Sequence, residues 1–384
     1  MEYTVQVASG PLNGEVKLVI EDNGISMSTL FDAHHIAYVD IRAFEIRNYT
    51  IHMMTETGIF TFARLGSLNE TFFDELYAAY NKKVRKALFV EGAPLFHTQG
   101  NYRYAEYEKT AEGTAFIEIY ENCVLILPPD DGARRIPLCF TCRLDQADFG
   151  VSLEQDTGER YTFSRLGHDA RTFSECIEKR LHILRENSMN AVRNMDATLN
   201  AQQIAAIAKL MPEGAAAPMN RLYEIAPSFI KALESNISQS RVAIEYQVFK
   251  ENCDPMRICV GMGSHLSGEE AENVLWLIAP AKKSDVAAVE FATSEDTAAA
   301  TFLYRTGENW DMAWRKLNHA IEAMQFKREV IRLKDEELRR PEYADYAMAI
   351  ARNDALQFIR RHFSGRVIHS SPQRWKQELL SYMV

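Results

Sequence analysis

Cysteine is scarce in this chain, six residues in 384. That is too thin a spread for a disulfide framework, so cores held by packing in a reducing compartment are expected. Long apolar runs are missing as well: nothing approaches the roughly 18 consecutive apolar residues that a membrane span needs. The start, MEYTVQVASGPLNGEVKL, has neither the basic flank nor the apolar stretch of a signal peptide, so a cytoplasmic protein without an integral membrane segment is expected. Positive charge is in deficit, 43 Lys and Arg against 53 Asp and Glu for a net charge of −10, which opposes non-specific attraction to nucleic acid and anionic lipid surfaces. Sequential catalytic signatures are also lacking: no Walker loop, kinase set, HExxH or nucleophile elbow occurs. No catalytic, cofactor-binding or metal-ligating residue is therefore assigned, and no cofactor is expected.

What is present is an ordinary globular balance, 47% apolar and 25% charged residues, with length enough for two or three cores. Internal repetition is the strongest signal. Thr61-Phe62-Ala63-Arg64-Leu65-Gly66 returns as Thr162-Phe163-Ser164-Arg165-Leu166-Gly167, and Thr71-Phe72 returns as Thr172-Phe173 at the same spacing of 101. Upstream, allowing one inserted residue in the hairpin after Gly58 and Gly158, apolar positions coincide at a spacing of 100, among them Ile25 with Leu125, Ile36 with Ile136 and Phe44 with Leu144.

Each copy has the same grammar. Period-two runs such as Val16-Leu18-Ile20 and Tyr49-Ile51-Met53 break at turn signals such as Asp22-Asn23-Gly24 and Asp156-Thr157-Gly158, predicting six or seven meandering antiparallel strands. One amphipathic helix closes each copy. The first opens with Ser67 and Glu70 in capping-box spacing and carries Phe72, Phe73, Leu76, Tyr77, Tyr80 and Val84. The second opens at Asp169 as N-cap and carries Phe173, Cys176, Ile177, Leu181 and Leu184.

This order resembles the pleckstrin-homology-like (PH-like) fold, as two tandem copies over residues 1–92 and 93–187. The resemblance implies strongly bent sheets capped by a C-terminal helix, and a binding or scaffold role in place of catalysis. Phosphoinositide-binding members of that family place basic residues at the first hairpin loop. Here the matching loops, Ala8-Ser9-Gly10-Pro11-Leu12-Asn13-Gly14 and Lys109-Thr110-Ala111-Glu112-Gly113, share a single Lys. Residues 1–92 carry 8 basic and 12 acidic groups and residues 93–186 carry 11 and 16, so phosphoinositide binding is not expected.

Residues 188–384 resemble no known family. They read as an α+β domain with a helical C-terminus: helices over Leu199–Leu210 and Met219–Asn236, the latter kinked or broken at Pro227; strands at Val242–Phe249, Arg257–Gly261, Val274–Ala279, Val286–Ala292 and Ala298–Tyr304; then helices through Trp314–Phe326, Tyr343–Phe363 and Gln373–Tyr382. Thr293-Ser294-Glu295-Asp296 reads as the turn of the last hairpin.

Candidate chemistry is thin. Cys139-x-x-Cys142 lies in a predicted strand, where residues three apart face opposite sides, and lacks further ligands at zinc spacing, so it reads as structural. Adjacent His34 and His35 diverge in the same way. Gly261-Met262-Gly263 lacks the third glycine of a dinucleotide loop and reads as a turn. Arg64 and Arg165, at matching strand-to-helix junctions, read as structural. Near the C-terminus Arg360, Arg361, His362, Arg366, His369 and Arg374, with Lys376, gather positive charge around Phe363-Ser364-Gly365. They form a candidate patch for an anion or an acidic partner, set against the plainer reading of a solvated helical face.

The sequence thus predicts an α+β protein: two PH-like antiparallel units, each closed by a helix, then an α+β domain. The expected role is a non-enzymatic interaction or scaffold protein that binds other proteins or self-associates through exposed strand edges. The alternative is an enzyme or small-molecule-binding protein with a site in the third region, which needs Glu245, Tyr246 and His265 to converge with the basic cluster.

Overall fold

A computed structural model describes residues 2–8, 12–107, 109–147, 150–265, 272–292, 300–307, 309–324 and 333–383. The period-two runs of the first copy form strands β1 (Glu2–Val7), β2 (Gly14–Ile20), β3 (Gly24–Ser28), β4 (Ala33–Ala37), β5 (Ile41–Arg47), β6 (Thr50–Thr55) and β7 (Gly58–Ala63), followed by helix α1 (Asn69–Ala87). The second copy forms β8 (Phe96–Glu106), β9 (Lys109–Ile119), β10 (Cys123–Leu127), β11 (Arg134–Pro137), β12 (Thr141–Ala147), β13 (Gly150–Gln155), β14 (Arg160–Ser164) and α2 (Ala170–Met195).

The two sheets share one antiparallel strand order, β4-β3-β2-β1-β7-β6-β5 and β11-β10-β9-β8-β14-β13-β12. Each keeps its first and last strands paired and leaves the fourth and fifth as edges. Their irregularities also repeat. A register shift falls between Ile41 and Ala43 in β5 and between Thr141 and Arg143 in β12. The Glu56 amide donates to the Asp40 carbonyl at 3.2 Å, and that of Asp156 donates to Phe140 at 3.0 Å. At the repeated hexapeptide the backbone turns left-handed twice, at Arg64 (φ 63°) and Gly66 (φ 56°), then at Arg165 (φ 55°) and Gly167 (φ 58°). A non-glycine residue pays strain for that conformation, so each exposed arginine serves as a bend that tucks the following leucine inward: Leu65 and Leu166 are buried.

Several local expectations are corrected. Gly66–Leu68 is a 3-10 turn, α1 starts at Asn69, and no side chain caps it. Asp169 holds the N-cap position of α2 without a capping bond, its carboxylate instead accepting from the Thr98 hydroxyl at 2.8 Å. Residues 109–113, expected as the loop of the second copy's first hairpin, belong to β9, because Glu106 already pairs with Lys109. Helix α2 runs on past residue 187 to Met195.

The third region folds as α3 (Ala201–Leu210), β15 (Ala217–Pro218), α4 (Met219–Ile225), α5 (Pro227–Gln239), α6 (Ala243–Asn252), β16 (Cys259–His265), β17 (Glu272–Pro280), β18 (Val286–Ala292), β19 (Ala300–Arg305), α7 (Trp310–Met324), α8 (Asp335–Leu338), α9 (Ala344–Arg352), α10 (Asp354–His362), β20 (Phe363–Ile368) and α11 (Pro372–Met383). Helix α3 opens on a true capping box between Asn200 and Gln203. Pro227 separates α4 from α5. The stretch 242–249, expected as a strand, is helical: Val242, Tyr246, Phe249 and Cys253 are buried at spacings of four, three and four, a helical stripe that also mimics alternation. Phe363, expected as the last residue of a helix, instead opens β20 on the edge beside β19, and residues 364–368, for which the sequence predicts no element, complete that strand. Gly261-Met262-Gly263 is not a turn but the middle of β16, where a side chain at 261 would meet the Trp276 indole. The hairpin turn expected at 293–296 lies outside the described residues.

The third sheet, β15-β16-β17-β18-β19-β20, is covered on both faces. Strand β17 therefore reads as a continuous apolar run. Leu277 and Ala279 face the core under α3 to α6 and α11, and Trp276 and Ile278 face a core that continues through α7, α9 and α10 into the first repeat. Charged pairs join the regions. Arg135, fully buried, forms a two-pronged bond to Glu322 of α7. Arg134 pairs with Asp354, and Lys83 and Lys86 both reach Asp345.

Candidate functional site

The edges left by this topology meet different fates in the two repeats. In the first, β5 is not bare. The β10–β11 loop of the second repeat lies along it as an extra extended segment: Ala43 bridges Asp130 in antiparallel fashion, the Phe44 amide donates to the Pro129 carbonyl at 2.9 Å, and the Asp131 amide donates to the Arg42 carbonyl at 2.8 Å. Helix α1 grips the same segment from the other side. The Tyr77 hydroxyl donates to the Leu127 carbonyl and that of Tyr80 to the Asp130 carbonyl, the latter at 3.0 Å. Arg352, buried on α9, completes the seat through the Tyr80 oxygen (3.2 Å) and the Ile41 carbonyl (2.7 Å). Burial pushes both tyrosine hydroxyls up, so each remains a donor. An aromatic cluster fills the floor: Phe44 meets Phe73, Tyr77 and Tyr80 at centroid distances of 5.5, 5.5 and 5.3 Å.

The same groove in the second repeat is open. Phe44, Phe73, Tyr77 and Tyr80 are replaced at the repeat spacing by Leu144, Ser174, Glu178 and Leu181. Four rings thus give way to smaller or polar groups, and between β12, α2, α3 and α7 lies a cleft of about 780 Å³. Leu144, Leu181, Leu184 and Ala206 supply apolar wall. Its charged lining is Arg143, Arg185, Lys209 and Arg315 with Asp156; Arg143 pairs with Asp145 at 2.8 Å, so Arg185 and Lys209 carry the excess of positive charge. Asp156 is held by Arg315 at 3.1 Å and His319 at 2.7 Å, and the His319 ring stacks on Phe140 at 4.1 Å. Trp314 also contributes to the lining, and its buried indole N–H has no acceptor. Leu144 sits opposite Leu153 as Phe44 sits opposite Met53, so its amide points outward as that of Phe44 does.

The C-terminal basic residues are dispersed. Arg360 donates to the Leu333 carbonyl and to Asp335, both at 2.7 Å. Arg361 is exposed and bonds the Gln357 carbonyl of its own helix. His362 stacks on Phe358 at 4.2 Å. Arg366 is exposed on β20, Arg374 is exposed on α11, and Lys376 pairs with Glu251 at 2.8 Å. His369 is half-buried and turned inward: its Nδ1 lies 3.3 Å from Glu245 and its Nε2 3.1 Å from Glu290. Thr301 accepts from the Trp375 indole at 2.8 Å and donates to Glu290. Burial opposes the charge on His369, but the two carboxylates outweigh it and raise the imidazole to about 9. Burial raises the Glu290 carboxyl. Of the residues named for a third-region site, Glu245 reaches this cluster, while Tyr246 turns to Glu234 at 3.0 Å. The His265 side chain lies outside the described residues.

Cys139 and Cys142 also part ways. Cys139 sits in the turn Leu138–Phe140, and Cys142 on β12 donates to the Glu154 carbonyl. Burial pushes both thiols up, so neither is a ready thiolate. His34 stacks on Phe60 at 5.7 Å while His35 faces Ser26 at 3.2 Å. Among the described residues no group of three His, Cys, Asp or Glu is arranged to hold a metal ion, and no helix is long and apolar enough to cross a membrane.

Sequence reasoning missed the cleft. Its signal was present in the aligned repeats, as the loss of aromatic residues at equivalent positions. No protein-family model matches the chain, and neither does any curated protein.

Proposed function

We propose that this chain is a non-enzymatic cytoplasmic interaction protein built on two tandem PH-like units, and that its binding surface is the cleft along β12 of the second. The ligand class is a protein segment, a strand or a loop such as the one β5 holds, that bonds backbone to backbone along the β12 edge. One observation carries the reading: the matching edge β5 already holds such a segment, through backbone bonds to both Arg42 and Phe44 and hydroxyl bonds from α1. Strand addition supplies sequence-independent backbone bonds, and the pockets beside the edge supply selectivity. Here the selectivity favours aliphatic side chains with an acidic neighbour, given the leucine wall and the basic lining. Six free thiols fit a reducing compartment.

Selection of displayed linear peptides against the full chain tests this. Selected peptides are expected to carry alternating apolar residues and an acidic group, and to lose at least tenfold in affinity to the Leu144→Glu chain. Peptides that bind that variant and the unaltered chain equally well would place the binding surface elsewhere.

A further inference from the structure

The segment seated on β5 is a particular one, the connection between the third and fourth strands of a repeat, here β10 and β11. Each repeat therefore has a socket, the edge of its fifth strand beside its helix, and a plug, the loop between its third and fourth strands. Inside the chain the plug of repeat two fills the socket of repeat one. That leaves over the socket of repeat two, which is the open cleft, and the plug of repeat one, the β3–β4 turn Thr29-Leu30-Phe31-Asp32.

That turn is built to be presented. Leu30 is 95% exposed and Phe31 92% exposed, although turn tips ordinarily carry polar residues or glycine. It is rigid as well. The Thr29 amide donates to the Asp32 carbonyl at 2.8 Å, and the Thr29 hydroxyl oxygen accepts from the amides of Phe31 and Asp32 at 3.3 and 3.0 Å. Two apolar side chains are thus held in solvent on a preorganised tip, which lowers the ordering cost of docking. Asp32 stands next to them, and the internal plug likewise carries acid, its Asp131 pairing with Arg42 at 3.0 Å, although at the repeat spacing Asp131 matches Phe31 and not Asp32. The open socket offers the leucine wall, with Arg185 and Lys209 beside it, while Arg143 on the edge strand pairs with Asp145 at 2.8 Å.

We infer that the occupant of the β12 cleft is the Thr29–Asp32 turn of a second copy of this chain, so that copies join head to tail. The inference rests on the reading of the cleft given above and names its partner. A contact between two different surfaces of identical chains does not close on itself at two copies; it grows into open chains unless the rotation closes a ring.

Sedimentation velocity and light scattering on the full chain over a concentration series test it. Mass is expected to rise past the dimer. The L30S/F31S chain, altered only at solvent-exposed positions, and the R143E/L144E chain are each expected to stay monomeric. Mixed together they are expected to form a one-to-one complex and nothing larger, because the first keeps its cleft and the second its turn. A Phe31→Cys chain exposed to oxidised glutathione is expected to link to the native Cys142 of a neighbour, and the F31C/C142S chain to lose that link; this arm stands even if R143E/L144E does not fold. An unaltered chain that remains monomeric, or a mixture of the two variants that remains monomeric, overturns the inference. If the monomeric chain still binds selected peptides in a Leu144-dependent way, only the identity of the occupant falls; if it binds none, the cleft reading falls with it.

Discussion

The amide of Phe44 donates to the carbonyl of Pro129 at 2.9 Å, joining the fifth strand of one repeat to a loop of the other. Leu144 holds the equivalent register in the second repeat and faces a cleft instead. Filled and open versions of one groove thus coexist in a single chain. In the first repeat the β10–β11 loop fills the groove over the rings of Phe44, Phe73, Tyr77 and Tyr80; in the second, Leu144 and Leu181 stand in the cleft wall where Phe44 and Tyr80 stand in the first.

Tyr80→Phe is expected to cost about 1–3 kcal/mol of stability, because it removes the hydroxyl from the Asp130 carbonyl and strands the Arg352 guanidinium beside it. Urea unfolding followed by tryptophan fluorescence measures it. An unchanged midpoint would show that the hydroxyl holds nothing in place.

The Arg135 side chain is buried and that of Glu322 half-buried, and they face each other across the boundary between the second repeat and α7. Arg135→Leu alone is expected to cost about 2–4 kcal/mol, while the double variant R135L/E322L recovers most of the loss, because a half-buried carboxylate without its partner is worse than an apolar pair. Denaturant curves of the three variants decide it. Equal costs for the single and double variants would refute the coupling. By contrast the exposed Arg42–Asp131 pair is expected to contribute less than about 1 kcal/mol.

His369 gives a pH dependence with a defined sign. Its folded value of about 9 lies above the ordinary value of about 6.5 for an unfolded histidine. The stabilisation is therefore fully present below about 6.5 and is lost as pH rises through 9, amounting to on the order of 2–3 kcal/mol. The raised Glu290 carboxyl acts in the same direction at lower pH. Thermal unfolding of the unaltered chain is expected to fall between pH 7 and 9.5, and His369→Gln to flatten that fall. A parallel fall in both proteins would contradict the assignment.

Gly261→Ala is expected to destabilise by about 1–3 kcal/mol through overpacking, since the added carbon would sit 2.1 Å from Cε2 of Trp276 unless the indole moves. Near-ultraviolet circular dichroism of Trp276 and a denaturation curve check it together.

Much of the first half was legible because two copies average out local noise. The repeated Thr-Phe-x-Arg-Leu-Gly fixes both strand ends, and its left-handed arginine and glycine recur in the structure. In the third region local pattern and tertiary context compete. Val242 to Phe249 satisfies a period of two and a period near 3.6, and only burial on one helical stripe decides between them. Phe363 to Ile368 gave no clear strand signal because an edge strand needs few apolar residues; Val367 alone is buried in it. The His369 cluster was illegible for another reason, as its glutamates come from α6 and β18, brought together by the sheet. The turn at Leu30 and Phe31 was readable as two apolar residues where turn chemistry calls for polar ones, and its meaning depends on knowing which loop fills β5.

The most direct measurement is the hydrogen-exchange rate of the Leu144 backbone amide, read by NMR or by fragmentation mass spectrometry, with the β12 cleft empty and with it filled by a selected peptide. Strand addition predicts that this outward amide slows by at least tenfold on filling while that of Phe44, already bonded to Pro129, does not change. A Leu144 amide that exchanges at the same rate under saturating peptide would contradict the account, because no strand would then have joined that edge.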